Sequence, residues 1–162
     1  MITFEQLSTK HQNDVLKIYN YYVVTTTSAF PSQPMPEAFF HVFLEMTEGK
    51  YPAYVVLDGE NVAGFCMLTA YHSAQTFSKT ASVTYFIDKE YTGKGIGKQC
   101  LEKLIEEAKK MGICHLISDI SNENTGSINF HEKNGFRKVG EFEAIGEKLG
   151  RSFGLVLMQR DI

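Results

Sequence analysis

The sequence has no tryptophan and little proline or cysteine, with four prolines and three cysteines among 162 residues. Cys66, Cys100 and Cys114 form no CxxC pair, and an odd number of cysteines does not make a disulfide framework. The five histidines also lack clustered ligand spacing, so we expect no bound metal. The cysteine content instead predicts buried free thiols in a reducing compartment.

Long apolar runs and an excess of positive charge are missing as well. No stretch approaches the roughly 18 apolar residues that a membrane-spanning helix needs, and the first residues lack the basic and then apolar pattern of a signal peptide. The net charge of −3 gives no reason to expect a basic face for nucleic acid. We therefore expect a cytoplasmic protein whose partner is a small molecule, and neither a membrane nor a nucleic acid.

The pattern of apolar residues predicts seven strands and four helices in the order β-α-α-β-β-β-α-β-α-β-β. Antiparallel runs combined with one β-α-β unit indicate an α/β (α+β) fold, with a mixed, mostly antiparallel twisted sheet and helices on its faces. The length fits one core, so we expect residues 1–162 to form a single domain. The predicted strands cover residues 2–7, 53–57, 62–69, 80–88, 113–120, 136–145 and 152–159, and the predicted helices follow Ser8 and Pro36 or cover residues 95–111 and 124–134.

A glycine-rich segment, residues 91–98, follows the predicted strand 80–88 and opens the helix 95–111. Glycine lets the backbone turn tightly and approach a ligand closely. The first turn of a helix has N–H groups without partners and carries partial positive charge. The segment therefore predicts an anion cradle that suits a pyrophosphate, with Lys94 and Lys98 adding charge at its rim.

Other interpretations of this segment are a flexible surface turn, a dinucleotide-binding loop and a P-loop. The surface turn stays open on spacing alone. A dinucleotide-binding loop is disfavoured because it follows the first strand of a parallel array. A P-loop is disfavoured because the sequence has no GxxxxGK[ST].

Two motifs resemble those of the GNAT superfamily of N-acetyltransferases. Residues 93–97, Gly-Lys-Gly-Ile-Gly, resemble the acetyl-CoA pyrophosphate loop [QR]xxGxG, with Thr92 where Gln or Arg is usual. Residues 124–136 resemble the pattern N..S...(H/Y)E..GF. More narrowly, nearly the whole chain is similar to the phosphinothricin-acetyltransferase branch, on Ile18-Tyr19-Asn20, Thr27, Phe30, Tyr51-Pro52, Ala63-Gly64, His131-Glu132, Gly146-x-Lys148-x-Gly150-Arg151 and Leu157-Met158-Gln159-Arg160.

The resemblance implies the GNAT fold, acetyl-CoA as cosubstrate and, since relatives are often dimers, a homodimer. In that family the cofactor lies beside the fourth strand, which splays from the fifth, and backbone groups of the fourth strand face the pantetheine arm. One such N–H would act as an oxyanion donor. The implied cofactor-binding residues are Tyr85, Phe86, Ile87, Gly93, Lys94, Gly95, Ile96, Gly97, Lys98, Asn124 and Ser127.

Ser82 and His131 are the implied catalytic residues. The branch usually carries a Glu on the fourth strand, regarded as the base for the amine, and the spacing gives Ser82 at that position. Ser82 is then either a holder of a water in the proton path or a plain strand serine. His131 stands where many relatives have a Tyr acid, and it is either a proton carrier or a buried structural residue. Asn124 orients His131, accepts the pantetheine amides or caps the fourth helix.

Phe30, Thr84, Lys148 and Arg151 are the expected substrate-binding residues. A cation among them would hold the carboxylate of an amino-acid substrate, and the alternative for the last turn is a solvated hairpin. The function that follows is transfer of an acetyl group to the primary amine of a small molecule similar to phosphinothricin or methionine sulfoximine. The alternatives are another acceptor (a polyamine, an antibiotic or a protein N-terminus) and a non-catalytic acyl-CoA-binding module, which the missing Glu at Ser82 favours.

Overall fold

The computed structural model describes residues 1–47 and 49–162, and within them it has the predicted order of strands and helices. The end of the second helix, predicted near Gly49, adjoins residue 48, which is outside the described residues. None of the helices in the described ranges is long and apolar enough to cross a membrane. The elements are β1 (Ile2–Gln6), α1 (Gln12–Thr25), α2 (Phe40–Thr47), β2 (Ala53–Asp58), β3 (Asn61–Ala70), β4 (Thr80–Ile87), α3 (Ile96–Lys110), β5 (His115–Ser121), α4 (Thr125–Lys133), β6 (Arg137–Lys148) and β7 (Arg151–Asp161).

The strands form one seven-stranded sheet in the order β1-β2-β3-β4-β5-β7-β6. All neighbouring strands are antiparallel except β4 and β5, which are parallel. This confirms the predicted mixed, mostly antiparallel sheet. The parallel pair is short, because it joins only Thr80–Ser82 to His115–Ile117.

The helices cover both faces of the sheet. On one face, α1 and α2 pack over an apolar cluster that includes Phe65 of β3. On the other face, α3 packs over a second cluster that includes Cys66 of β3. Side chains alternate along β4 in the same way, so Ala81 and Val83 lie on the α3 face and Phe86 lies on the α1 face.

Helix α3 has the clearest sequence signal of the four helices. Its buried residues recur with the 3.6-residue period and form one stripe against the sheet, namely Ile96, Cys100, Leu101, Leu104 and Ala108. Gly95 precedes the helix with φ +79°, and Gly112 follows it with φ +75°. Both angles lie in the left-handed region that glycine adopts at little cost, so the two glycines fix where the helix begins and ends.

Candidate active site

The sheet opens between β4 and β5. Beyond Ser82 and Ile117 the two strands no longer pair, while β4 continues to pair with β3 as far as Ile87. The opening, which we call the β4–β5 gap, therefore exposes one backbone edge of residues 83–87. The predicted splay of β4 from β5 is therefore present, and the gap lies next to the start of α3.

Strand alternation decides which backbone groups of β4 face the gap. Asp88, the residue after β4, donates its N–H to the carbonyl of Ala63 in β3 at 2.8 Å. The even-numbered residues of β4, like Asp88, therefore direct their N–H and carbonyl groups toward β3. The odd-numbered residues direct theirs toward the gap. Of the three predicted strand residues, Tyr85 and Ile87 face the gap with their backbone, and Phe86 faces β3.

Ile87 and Phe86 make further contacts, Ile87 through its backbone carbonyl and Phe86 through its ring. The carbonyl of Ile87 accepts a hydrogen bond from the hydroxyl of Tyr22 at 2.5 Å. The ring of Phe86 packs against the rings of Tyr19 and Tyr22, with centroids 5.1 and 5.4 Å away. The position of Phe86 is thus that of a packing residue, and Tyr85 has the freest backbone of the three.

The N-terminus of α3 has amides without partners. Its first i to i−4 hydrogen bond runs from Gln99 N–H to the carbonyl of Gly95, so the N–H groups of residues 96–98 precede the helical pattern. No side chain in the described residues caps this end. A Cβ added at Gly93 or Gly95 would meet nothing within 4 Å, and one at Gly97 would meet only the Phe130 ring at 3.6 Å. This open set of donors fits a diphosphate.

The two lysines of this segment differ in their surroundings. The ammonium of Lys94 lies over the Tyr91 ring, 5.1 Å from its centroid. The ammonium of Lys98 is 3.8 Å from the carboxylate of Glu102, one turn along α3. Both lysines lie beside the N-terminus of α3, and Glu102 partly balances the charge of Lys98.

His131 of α4 is buried and paired with Tyr85. Its side chain is 1% exposed and lies among three aromatic rings, stacked on Tyr85 and edge-on to Phe130 and Phe136. Nδ1 is 2.7 Å from the carbonyl of Ser127, and Nε2 is hydrogen-bonded to the hydroxyl of Tyr85. His131 therefore reaches the β4–β5 gap only through Tyr85.

These contacts assign the proton of the imidazole. A carbonyl only accepts hydrogen bonds, so Nδ1 of His131 donates to Ser127, and Nε2 then accepts from the hydroxyl of Tyr85. Burial lowers the pKa of His131 below its ordinary value, against a smaller raising effect of the Ser127 carbonyl. Burial raises the pKa of Tyr85 well above its ordinary value. Both side chains are neutral near pH 7.

Asn124 and Ser127 position α4. The side-chain oxygen of Asn124 accepts from the N–H of Ser127 at 3.1 Å, which is the N-cap bond. The side-chain nitrogen of Asn124 donates to Ser28 at 3.0 Å. The structure thus has Asn124 as a cap that also holds the segment after α1, and no bond joins it to His131.

Ser82 and Thr84 lie on the α1 face of β4, as the period of two predicts. Ser82 is the last residue of β4 that pairs with β5, and Thr84 follows it at the start of the gap. Both side chains are partly exposed. The missing carboxylate at Ser82 leaves β4 without an acidic side chain on this face.

Arg151 is paired with an acid. Its guanidinium makes a two-pronged bond to Glu123, with contacts of 2.6 and 2.8 Å. This bond lowers the pKa of Glu123, and Glu123 also accepts from the hydroxyl of Thr27. Thr27 in turn contacts Ser121 at 2.6 Å. These hydrogen bonds connect the segment after α1 to the end of β5.

Lys148 is buried at the turn between β6 and β7. Its side chain is 6% exposed, and its ammonium donates to the carbonyl of Ala29 at 2.5 Å. Burial lowers its pKa below the ordinary value. Phe30 follows Ala29, is 49% exposed and stacks on Phe153 with a centroid distance of 6.3 Å. Of the predicted substrate residues, the structure thus brings Phe30 and Lys148 together.

Sequence reasoning missed the side chain of Tyr85 and the acid Glu123. Only the backbone of Tyr85 was predicted to bind the cofactor. Tyr85 is nevertheless odd-numbered, like the buried residues of β4 on the α3 face. That alternation could have indicated contact with α4. Glu123 lies in the turn between β5 and α4, and no period of the sequence relates it to Arg151. Within the described residues, no group of three or more His, Cys, Asp or Glu could hold a metal ion.

The chain is similar to known acetyltransferases over most of its length. The profile of the acetyltransferase (GNAT) family matches residues 15–136. A protein of Bacillus subtilis (strain 168), provisionally named as a phosphinothricin acetyltransferase, is 31% identical over 150 residues, 91% of each chain. The L-methionine sulfoximine/L-methionine sulfone acetyltransferase of Pseudomonas aeruginosa is 29% identical over 91% of this chain and 87% of its own.

A solved structure resembles the fold closely. The phosphinothricin acetyltransferase of Sinorhizobium meliloti, determined in complex with acetyl-CoA, superimposes with a TM-score of 0.93 at 26% identity, over 99% of this chain and 88% of that one. The family match, the β4–β5 gap and the uncapped amides of α3 agree. The chain belongs to the GNAT acetyltransferase family and is an N-acetyltransferase that uses acetyl-CoA as its acetyl donor.

Proposed function

We propose that this enzyme acetylates the primary amine of a small amino-acid-like compound of the phosphinothricin or methionine sulfoximine class. The relatives reported above are named for these two substrates. The observation that carries the proposal is the buried ammonium of Lys148, beside the exposed ring of Phe30. A cation and an apolar wall suit a substrate that carries an α-carboxylate and a short side chain.

The cosubstrate supplies a thioester, which is an acyl group already activated for attack by an amine. The uncapped amides of residues 96–98 bind the diphosphate, with Lys94 at the rim. The N–H of Tyr85 faces the gap and polarises the acyl carbonyl. The hydroxyl of Tyr85, held by His131, delivers a proton to the leaving sulfur.

Lys148 is the better carboxylate ligand of the two predicted cations. Arg151 already has a carboxylate partner in Glu123, which occupies its bidentate face. Lys148 has three N–H donors and makes one hydrogen bond, to the carbonyl of Ala29. Two donors of its ammonium therefore stay available for a substrate carboxylate, which would also compensate the burial of the charge.

We also propose that residues 1–162 act as one domain in a cytoplasmic homodimer. The edge strand β6 supports the dimer, because Val139, Phe142 and Ile145 are more than half exposed on it. The three free thiols support a reducing location. Light scattering of the purified protein at micromolar concentration tests the dimer, and a monomer mass would exclude it.

Thiol release from acetyl-CoA tests the substrate class. The panel holds L-methionine sulfoximine, phosphinothricin, L-methionine sulfone, spermidine, an aminoglycoside and an N-terminal alanyl peptide. We expect kcat/KM for one of the first three compounds to exceed that for the other amines at least about tenfold, which is a free-energy difference of about 1.4 kcal/mol. N-acetylmethionine sulfoximine is the matched control without a free amine. The highest kcat/KM on a polyamine, antibiotic or peptide would contradict the proposal.

Two variants probe the carboxylate site in the same assay. Lys148→Met should raise KM for the amino acid about tenfold or more and leave the Kd of acetyl-CoA unchanged, because it removes the cation and keeps an apolar stem. Arg151→Met should change KM less, since Glu123 already occupies its guanidinium. The reverse order of the two effects would assign the carboxylate to Arg151.

A further inference from the structure

The amine-acetylation reaction needs a proton acceptor, and β4 provides none. An amine is mostly protonated near pH 7 and must lose a proton before its nitrogen can attack. The β4 residues on the α1 face of the gap are Ser82, Thr84 and Phe86, and none of them accepts a proton at neutral pH. His131 lies on the other side, behind Tyr85, with both ring nitrogens engaged.

The opposite strand of the gap carries a carboxylate on the same face. Buried residues Leu116 and Ile120 place the even-numbered side chains of β5 on the α3 face. The odd-numbered side chains therefore face α1, and Ser121 confirms this through its contact with Thr27 after α1. Asp119 lies between Ile117 and Ser121 on that face.

The position of Asp119 along β5 is also inside the gap. The last parallel pair is Ser82 with Ile117, so Asp119 stands two residues beyond the point where pairing stops. Extending the register would put Asp119 opposite Thr84. β4 has Ser82 where the family branch usually carries a Glu. On β5, across the gap, Asp119 supplies a carboxylate.

We propose that Asp119 is the catalytic base that takes the proton from the substrate amine; this inference rests on the function proposed above. One proton of the ammonium goes to the Asp119 carboxylate. The nitrogen then forms a bond to the acetyl carbon while the bond between that carbon and sulfur breaks. The hydroxyl of Tyr85 gives its proton to the leaving sulfur, and the second nitrogen proton replaces it on Tyr85. The products are the N-acetyl compound and free coenzyme A.

The surroundings of Asp119 suit this role. Asp119 is exposed to solvent, and its partner on β7 is Leu157, while Leu155 of β7 pairs with Ser121. Partial burial raises the pKa of Asp119 above its ordinary value, and no charged group or hydrogen bond within the described residues adds to the shift. A base with a raised pKa accepts a proton more readily than an ordinary aspartate.

Neither of the other charged groups near this face can serve as the base. Glu123 is held by Arg151, which lowers its pKa and makes it a poor base. Lys148 donates to Ala29 at the β6–β7 turn. Among the described residues on the α1 face of the gap, Asp119 is the carboxylate without a partner.

The experiment compares Asp119→Asn and Asp119→Glu with the wild type in the thiol-release assay, with the exposed Asp14→Asn as matched control. We expect Asp119→Asn to lower kcat by about 10² to 10³, within the range of general-base catalysis, with the Kd of acetyl-CoA unchanged. Asp119→Glu should keep part of the activity, and Asp14→Asn should keep all of it. The wild-type acid limb of kcat/KM should lie above pH 3.8 and disappear in Asp119→Asn. Asp119→Asn with a kcat within threefold of the wild type overturns the inference and leaves the proposed function standing.

If the wild-type protein acetylates none of the panel, the proposed function itself is contradicted. A second measurement then still tests Asp119. Carbon-13 NMR of the Asp119 carboxyl in the acetyl-CoA-bound protein gives its pKa without turnover. A pKa above the ordinary 3.8 agrees with a base in this environment. A pKa at or below that value contradicts the inference.

Discussion

Tyr85 and His131 act as one unit at the scale of single residues. Ser127 fixes the tautomer of His131, and His131 fixes the hydroxyl of Tyr85. His131 is too buried to meet a substrate, and Tyr85 lies at the gap where the backbone of β4 is free. The predicted proton traffic through His131 therefore has to pass through Tyr85.

A double-mutant cycle tests this unit. Tyr85→Phe leaves Nε2 of His131 buried without a donor, and it should cost about 1–3 kcal/mol of unfolding free energy. Tyr85→Phe and His131→Gln should each lower kcat with the Kd of acetyl-CoA nearly unchanged. The double variant should be no slower than the slower single variant, because both changes break the same contact. Effects on kcat that multiply would show that the residues act independently, and an unchanged kcat would remove them from the reaction.

At the scale of elements, the two ends of α3 offer a matched pair of glycines. Gly95 and Gly112 both have a left-handed φ, and a Cβ at either would meet nothing within 4 Å. They differ in what surrounds the helix end, because Gly95 adjoins the uncapped amides and Gly112 only terminates the helix. A substitution at each should therefore cost similar stability and have different effects on binding.

We expect Gly95→Ala and Gly112→Ala each to lower the unfolding free energy by about 1–2 kcal/mol, the cost of a left-handed non-glycine residue. Calorimetry with acetyl-CoA should show a Kd at least about tenfold higher for Gly95→Ala, because relaxation of its φ turns the first amides of α3. Gly112→Ala should bind like the wild type. Equal affinities for the two variants would refute the anion cradle.

The elements were largely predictable from the sequence because their signals are local. The 3.6-residue stripe of α3, the hairpin of β2 and β3 and the glycines at helix ends all act within a few residues of the chain. For the candidate site, the sequence signal is also local only in residues 93–98, whose role in binding stays a prediction. Asp119 and Glu123 were not found, because their roles depend on which strands adjoin and where β4 and β5 stop pairing.

At the scale of the whole molecule, the β4–β5 gap joins the two faces of the sheet. Tyr85 and His131 lie on the α3 face, while Thr84 and Asp119 lie on the α1 face. The thioester and the amine can thus approach one another through the sheet from opposite sides.

The burial of His131 makes the stability of the molecule depend on pH. The folded chain keeps His131 neutral, and the unfolded chain takes up a proton with a pKa of about 6.5. The unfolded state therefore gains protons first as the pH falls, and the unfolding free energy should drop below pH 6.5 toward the lower folded-state pKa. Urea unfolding from pH 8 to 5 measures this slope. His131→Gln should flatten it, whereas the exposed His41→Gln should not; a wild-type slope in His131→Gln would contradict the assignment.

A crystal structure of the protein with coenzyme A tests most directly whether the N-terminus of α3 binds the diphosphate of the cosubstrate. The diphosphate oxygens should lie within hydrogen-bond distance of the N–H groups of residues 96–98, and the pantetheine arm should run along the open edge of β4 past Tyr85. A nucleotide bound elsewhere on the molecule, with those amides not in contact with phosphate, would contradict the site and the mechanism built on it.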